Sequence, residues 1–301
     1  MEELYEFAME KRLSRLSPAL HQIFSDVVLA LQHCLSSYQN LFPEYTDHTS
    51  LHCLSVIDFC NRLIGSQINM MNADEIFVLL TACYFHDTGM GISSKDFLEF
   101  SEKAGIRHLI ETRFREDTPA MVREFHHEFS SMFIQKYGQI FDFPSEEYQW
   151  AVRMVARGHR KTNLMDEKEY PVAMPVPGGN RICLPYLAAL IRLADEIDVT
   201  SERNPRILYH IDSLKSAKQI VYHKMTAAVR SLRVMEKEFI LTLNPTEEDI
   251  RHHIDNMVEK MQQTLDTCRA AVNGRTPFVI TQERVIVEEL PEGQEKRTEN
   301  G

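Results

Sequence analysis

Six side chains of metal-ligand type stand out along the sequence: His52, His86, Asp87, His126, His159 and Asp195. Neutral imidazoles and carboxylates are the donors preferred by divalent ions such as Fe, Mn, Co, Ni and Zn. With 13 histidines and one tryptophan in the chain, imidazole chemistry is the first to consider. The adjacent pair His86-Asp87 carries the most information. At a helix end its imidazole can address one ion, while a carboxylate with two oxygens can bridge to a second. Converging such residues from separate helices is a common way to build a two-metal centre. The bland alternatives are a helix C-terminus that favours histidine, for His86-Asp87, and a surface carboxylate paired with Arg192, for Asp195. No other nucleophile presents itself, since the chain has neither a G-x-S-x-G elbow nor a P-loop.

These residues need helices to position them. Apolar residues recur at helical spacing from Leu4 to Tyr38, broken at Ser17-Pro18, where Ser17 suits an N-cap and Pro18 a first turn. A helix from about Thr49 to Ile64 carries His52. The next begins at Asn72, with Glu75 placed to complete a capping box, and runs to His86-Asp87, where Gly89-Met90-Gly91 stops it. Ser93 or Ser94 opens a short helix, Thr118-Pro119 opens the one holding His126, and Ser145 starts one ending near Gly158, beside His159. Pro185 opens an apolar helix through Leu190 and Leu193 to Asp195 and Ile197. The stretch from Leu164 to Pro185 holds four prolines and two glycines. It reads as a loop with a short hairpin around Gly178-Gly179, expected to form part of the rim or lid of the site.

Past about Asn204 the pattern changes. Ala227 to Val234 and Glu238 to Leu243 read as two strands, Thr246 caps a long helix to about Val272, and Phe278 to Leu290 looks extended. The expected fold class is mainly α. A helical domain covers residues 1–204, with N-terminal helices in 1–40 and a motif-bearing core in 41–204. A small C-terminal α+β appendage follows over 205–290, then a disordered tail over 291–301.

Hydrophobic residues make up 44% and charged residues 26% of the chain, the balance of a globular protein with a real core. The formal net charge of −11 argues against a general binder of nucleic-acid polymers or anionic membranes, both of which need a basic surface. A small anionic substrate stays open, because metal ions supply local positive charge. No apolar run nears the ~20 residues of a membrane span. The acidic start Met1-Glu2-Glu3 is unlike a signal peptide, and the six cysteines form no C-x-x-C pair. A reducing cytoplasm is the expected home.

The order H…HD…D, read as His52, His86-Asp87 and Asp195, resembles the HD superfamily of metal-dependent phosphohydrolases. The HD pair ends the run Leu79-Leu80-Thr81-Ala82-Cys83-Tyr84-Phe85 and precedes Thr88-Gly89, similar to the family's apolar-run-HD-x-G motif. Asp195 lies in Arg192-Leu193-Ala194-Asp195-Glu196-Ile197-Asp198, which looks like the family's closing RLAD-x-x-D helix. The histidines in Phe125-His126-His127-Glu128 and Arg157-Gly158-His159 resemble the extra ligands of two-metal members. Within the doublet, His126 stands four residues before Ser130, which suits the family, but His127 could replace it. Asp47-His48 and the strand-strand-helix-strand tail are similar to the subgroup associated with nucleotide cyclases and chaperone-like ATPases.

The resemblance implies an HD-type helical bundle that carries two divalent ions, drawn from Mn, Fe, Co, Ni, Zn or Mg. His52, His86, Asp87 and Asp195 would hold the first, and Asp87 would bridge to a second held by His126 and His159. The implied activity is hydrolysis of a phosphoester or phosphoanhydride, in a nucleotide or nucleotide second messenger, by a metal-activated hydroxide. Asp87 is then catalytic as well as a ligand, and His48 could hydrogen-bond a ligand or the substrate. Arg157, Arg160 and Lys161 flank His159 and could grip phosphates, or form a solvated helix end. Two other readings stay open: a di-iron oxygenase on the same fold, and a non-catalytic module that binds a nucleotide. The expected partner is a phosphorylated small molecule, with the appendage offering a surface for a homo-oligomer or a signalling protein.

Overall fold

The computed structural model describes residues 7–36, 50–115, 117–199, 217–244 and 248–291. Within them the chain is mainly α. The helices are Ala8–Leu16 (α1), Pro18–Ser36 (α2), Ser50–Ile64 (α3), Ala73–Phe85 (α4), Ser94–Lys103 (α5), His108–Glu111 (α6), Thr118–Tyr137 (α7), Glu146–Arg157 (α8), Leu184–Ile197 (α9), Ala217–Ala228 (α10) and Glu248–Val272 (α11). The break at Ser17-Pro18 separates α1 from α2, and the Ser17 hydroxyl accepts the Leu20 N–H at 3.3 Å.

Helix α4 shows how the bundle is built. The Asn72 side chain accepts the N–H groups of Asp74 and Glu75, while Glu75 accepts the N–H of Asn72, so the capping box forms. Every residue from Asp74 to Phe85 is buried. A helix apolar all round belongs in a core, and α4 packs against α1, α2, α3 and α8. Its two buried carboxylates would be costly without partners. Asp74 accepts from Tyr148 Oη and Asn180 Nδ2, and Glu75 accepts the Cys183 N–H. These bonds tie the hairpin of Met174–Pro175 (β1) and Arg181–Ile182 (β2) to the N-terminal end of α4.

The chain divides into two compact units. The helical one comprises residues 1–43, 48–195 and 268–280; the other comprises 44–47, 196–267 and 281–301. Residues 268–280, counted with the appendage on sequence grounds, thus belong with the helical unit, where Phe278 stacks on Tyr186 with centroids 4.1 Å apart. In the second unit Val229–Val234 (β3), Glu238–Leu243 (β4) and Arg284–Glu289 (β5) form a sheet in the order β3-β4-β5. The first pair is antiparallel and the second parallel. Alternation along β4 buries Phe239, Leu241 and Leu243.

The edges of these elements differ from the sequence expectation in two places. Ala227 and Ala228 close α10 instead of opening β3, as the helix preference of alanine favours. The extended C-terminal stretch forms a strand only over Arg284–Glu289. Thr246, and the expected tail from residue 292 on, lie outside the described residues. Among the described residues no single helix is long and apolar enough to cross a membrane. Cys53, Cys60, Cys83, Cys183 and Cys268 are buried thiols, outside any disulfide.

Candidate metal centre

The six metal-ligand side chains come from five places in the helical unit. His52 lies in the first turn of α3. His86 caps the C-terminus of α4, and Asp87 follows it at the head of a 3-10 turn, Thr88–Gly91. His126 is on α7, His159 just past Gly158 at the end of α8, and Asp195 in the last turn of α9. His52, His86, Asp87, His126 and His159 are all buried. The most exposed of the six side chains are Asp195 at 24% and His126 at 6%.

Two imidazole pairs face each other across one carboxylate. The Nε2 atoms of His52 and His86 lie 3.1 Å apart, and those of His126 and His159 lie 2.9 Å apart. Asp87 Oδ2 is 3.6 Å from His52 and 3.4 Å from His86. Its Oδ1 is 3.2 Å from His126 and 3.8 Å from His159. Asp195 Oδ1 stands 3.3 Å from His52 Nε2. Each oxygen of Asp87 therefore serves a different pair. The groups His52-His86-Asp87 and Asp87-His126-His159 could each hold a metal ion.

The hydrogen bonds behind the rings test whether the donors suit an ion. Nδ1 of His86, His126 and His159 lies 2.8, 2.6 and 2.6 Å from the carbonyl oxygens of Cys83, Arg123 and Ala156. A carbonyl only accepts, so each Nδ1 carries a proton, and in the neutral ring that leaves the Nε2 lone pair for an ion. In the His126–His159 pair two lone pairs then point at each other 2.9 Å apart. With both rings neutral that contact is relieved only by a proton or a metal ion shared between them, and the set of imidazoles around a carboxylate is the donor set of a divalent metal.

Electrostatics give the same sign. Burial opposes a charge on His86, but the charge and hydrogen bond of Asp87, with Asp195 behind it, outweigh burial and lift its pKa to about 9. Burial would raise Asp195, yet the hydrogen bond and charge of His52, with His86, hold its carboxyl well below the usual range. His159 moves down, chiefly through burial and then through His126 and His86. The cluster thus draws positive charge to its middle while keeping an imidazole neutral for coordination.

Close backbone approach holds the ligands in place. A Cβ on Gly89 would stand 2.1 Å from the His126 carbonyl oxygen, so only glycine lets the turn after Asp87 lie against α7. Ser130 secures that contact. Its hydroxyl donates to the His86 carbonyl at 2.6 Å and accepts the Gly89 N–H at 2.8 Å. A Cβ on Gly158 would stand 2.5 Å from Ala188 Cβ, so glycine also lets the turn bearing His159 lie against α9.

A family model described as HD-CE matches residues 42–277, well over half of the chain. The protein belongs to the HD-CE family. No curated protein matches it. The HD of the family name corresponds here to a pair whose two residues meet three further imidazoles and stand close to a second carboxylate.

Of the doublet in this HD-CE chain, His126 and not His127 joins the cluster. His127 is buried with Nδ1 lacking a partner. Burial first, then His126, Arg160, Arg157 and Lys161, push its pKa down to about 2. Among the basic residues, Arg157 is not free to grip a phosphate. Its Nε donates to both oxygens of Glu128 and its Nη1 to Glu169. Arg160 reaches the Arg123 carbonyl at 3.5 Å, and exposed Lys161 lies 3.5 Å from Glu124. His48 lies outside the described residues.

One bland alternative falls and one expectation changes. Arg192 does not pair with Asp195. It is buried and donates to the carbonyls of Gly158, Arg160 and Thr162 and to the Thr162 hydroxyl. It thereby fastens the His159 turn to the helix that carries Asp195. A lone arginine in the apolar run of α9 was the available signal. Part of the expected rim also moves: Glu169 and Tyr170 stay beside the His159 turn through Arg157 and Thr162, but the hairpin is anchored at the N-terminal end of α4. The HD pair is at the other end, about 20 Å away for a 13-residue helix.

Proposed function

We propose that the protein is a metal-dependent phosphohydrolase carrying two divalent ions, which cleaves a phosphoester or phosphoanhydride of a phosphorylated small molecule, nucleotides and nucleotide second messengers first among them. The observation that carries the reading is the division of Asp87 between two imidazole pairs. Such a shared carboxylate sets two cation places side by side, and divalent ions there supply Lewis-acid activation of water and neutralise phosphate charge.

The protein's own residues do the rest. The backbone carbonyls behind His86, His126 and His159 hold a proton on each Nδ1, so that each neutral ring offers its Nε2 to an ion. Asp87 and Asp195 offset the positive charge. Burial excludes competing water from all but the Asp195 side, which strengthens each electrostatic contact. Arg160 and Lys161, beside His159, are the cations we assign to the outer phosphate oxygens, in place of Arg157.

Elemental analysis of purified protein, beside a phosphate-release screen over nucleotides and cyclic dinucleotides, tests the proposal. About two equivalents of a divalent metal and hydrolysis that persists without dioxygen are expected. Asp87→Ala should lose both metal and turnover, and retained turnover in that variant would refute the mechanism.

A further inference from the structure

The helical unit holds a cavity of about 360 Å³ beside the centre, within the size range of small-molecule sites. Met90, Ile92, Phe97 and Val122 are its buried lining, and Ser94 and Thr118, both hydroxyl-bearing, are exposed residues of its wall. Among the described residues no ionisable side chain lines it.

The cavity shares two walls with the metal centre. The Met90 N–H donates to the Asp87 carbonyl at 2.9 Å, so one wall is the turn that carries the shared carboxylate. The other wall is α7. Thr118, Val122 and His126 recur every four residues and fall on one stripe of that helix. The first two line the cavity and the third belongs to the second imidazole pair. Four helical residues rise about 6 Å, so His126 is one turn from the cavity wall.

We infer that this cavity is the subsite for the uncharged part of the substrate, a flat heteroaromatic ring with hydrogen-bonding edges, which is the chemistry of a nucleobase. The inference rests on the phosphohydrolase reading and adds where the body of the substrate lies. An ionised group would lose its hydration there without gaining a counter-charge. The Phe97 ring and the Met90 thioether offer polarisable contacts to a ring. The two hydroxyls of its wall can donate or accept, which suits a polar ring edge. An alkyl chain would displace their water and return no hydrogen bond.

The test uses the full chain with Mn(II) and the rim substitution Leu98→Trp, at a side chain 44% exposed, with thermal melting as the check on folding. Equilibrium dialysis with adenosine and with guanosine should show binding to the wild type that the variant weakens at least tenfold. The preference for nucleoside monophosphates over methyl phosphate in kcat/KM should fall by a similar factor. Absence of nucleoside binding, binding that Leu98→Trp leaves unchanged, or a preference for octyl phosphate over nucleotides each overturns the inference. The two readings separate cleanly. Nucleoside binding that Leu98→Trp abolishes, in a protein that hydrolyses nothing, supports the ring site and refutes the hydrolase. Hydrolysis of methyl phosphate without nucleoside binding does the reverse.

Discussion

His126 and His127 are neighbours of the same chemistry with different surroundings. The Nδ1 of His126 is committed to the Arg123 carbonyl and its Nε2 faces Asp87 and His159. His127 instead sits among Arg157, Arg160 and Lys161, which repel any charge on it. His126→Ala should therefore cost about one equivalent of bound metal, while His127→Ala should keep the wild-type content; equal losses by mass spectrometry would show the doublet misassigned. His127 also predicts a pH effect. Its folded pKa of about 2 lies below its unfolded value, so the unfolded chain binds the extra proton. Stability is fully present above the unfolded value, near 6.5, and is lost as pH falls below it, by about 1.4 kcal/mol per pH unit. His127→Gln should remove close to one proton from the uptake on unfolding at pH 5. Denaturant titrations at pH 7 and 5 measure it, and an unchanged pH slope would contradict this assignment.

Between helices, the critical joints are backbone contacts secured by one side chain. Ser130→Ala leaves the buried His86 carbonyl and Gly89 N–H without their partner. At roughly 1–3 kcal/mol per unsatisfied group, a loss of about 2–4 kcal/mol in urea unfolding is expected. Gly89→Ala should act on the centre more than on the fold, since the turn must move off α7 and carry Asp87 with it. A metal affinity at least tenfold weaker is the expected readout, and an unaltered affinity would mean that the close approach does not matter. Arg192→Met keeps the apolar stem but frees the His159 turn.

For the molecule as a whole, all six metal-ligand side chains lie in the helical unit, so its stability is linked to the ions. A ligand held at a hundred times its Kd stabilises by about 2.7 kcal/mol, which shifts a domain of this size by several degrees. Calorimetry with and without EDTA should show that drop, and identical traces would argue against a resident metal. The net charge of −11 means that attraction for an anionic substrate must be local, from the centre and the Arg160 and Lys161 beside it. Added salt should not abolish turnover by screening, as it would for a broadly basic surface.

Local chemistry was legible in the sequence. The Asn72–Glu75 capping box, the break at Ser17-Pro18, the hairpin at Gly178-Gly179 and the helix ends that carry His86, His159 and Asp195 all follow from interactions within a few residues. So did the short inventory of imidazoles and carboxylates. What tertiary structure alone decided was which of these groups meet. It selected His126 over His127, turned Arg157 toward Glu128 and Glu169, sent Arg192 to the carbonyls of the His159 turn, and placed the hairpin of the expected lid at the far end of α4. Those choices depend on which helix faces approach and how closely Gly89 and Gly158 let them. Such distances are set by packing between segments far apart in the chain, to which local spacing is blind.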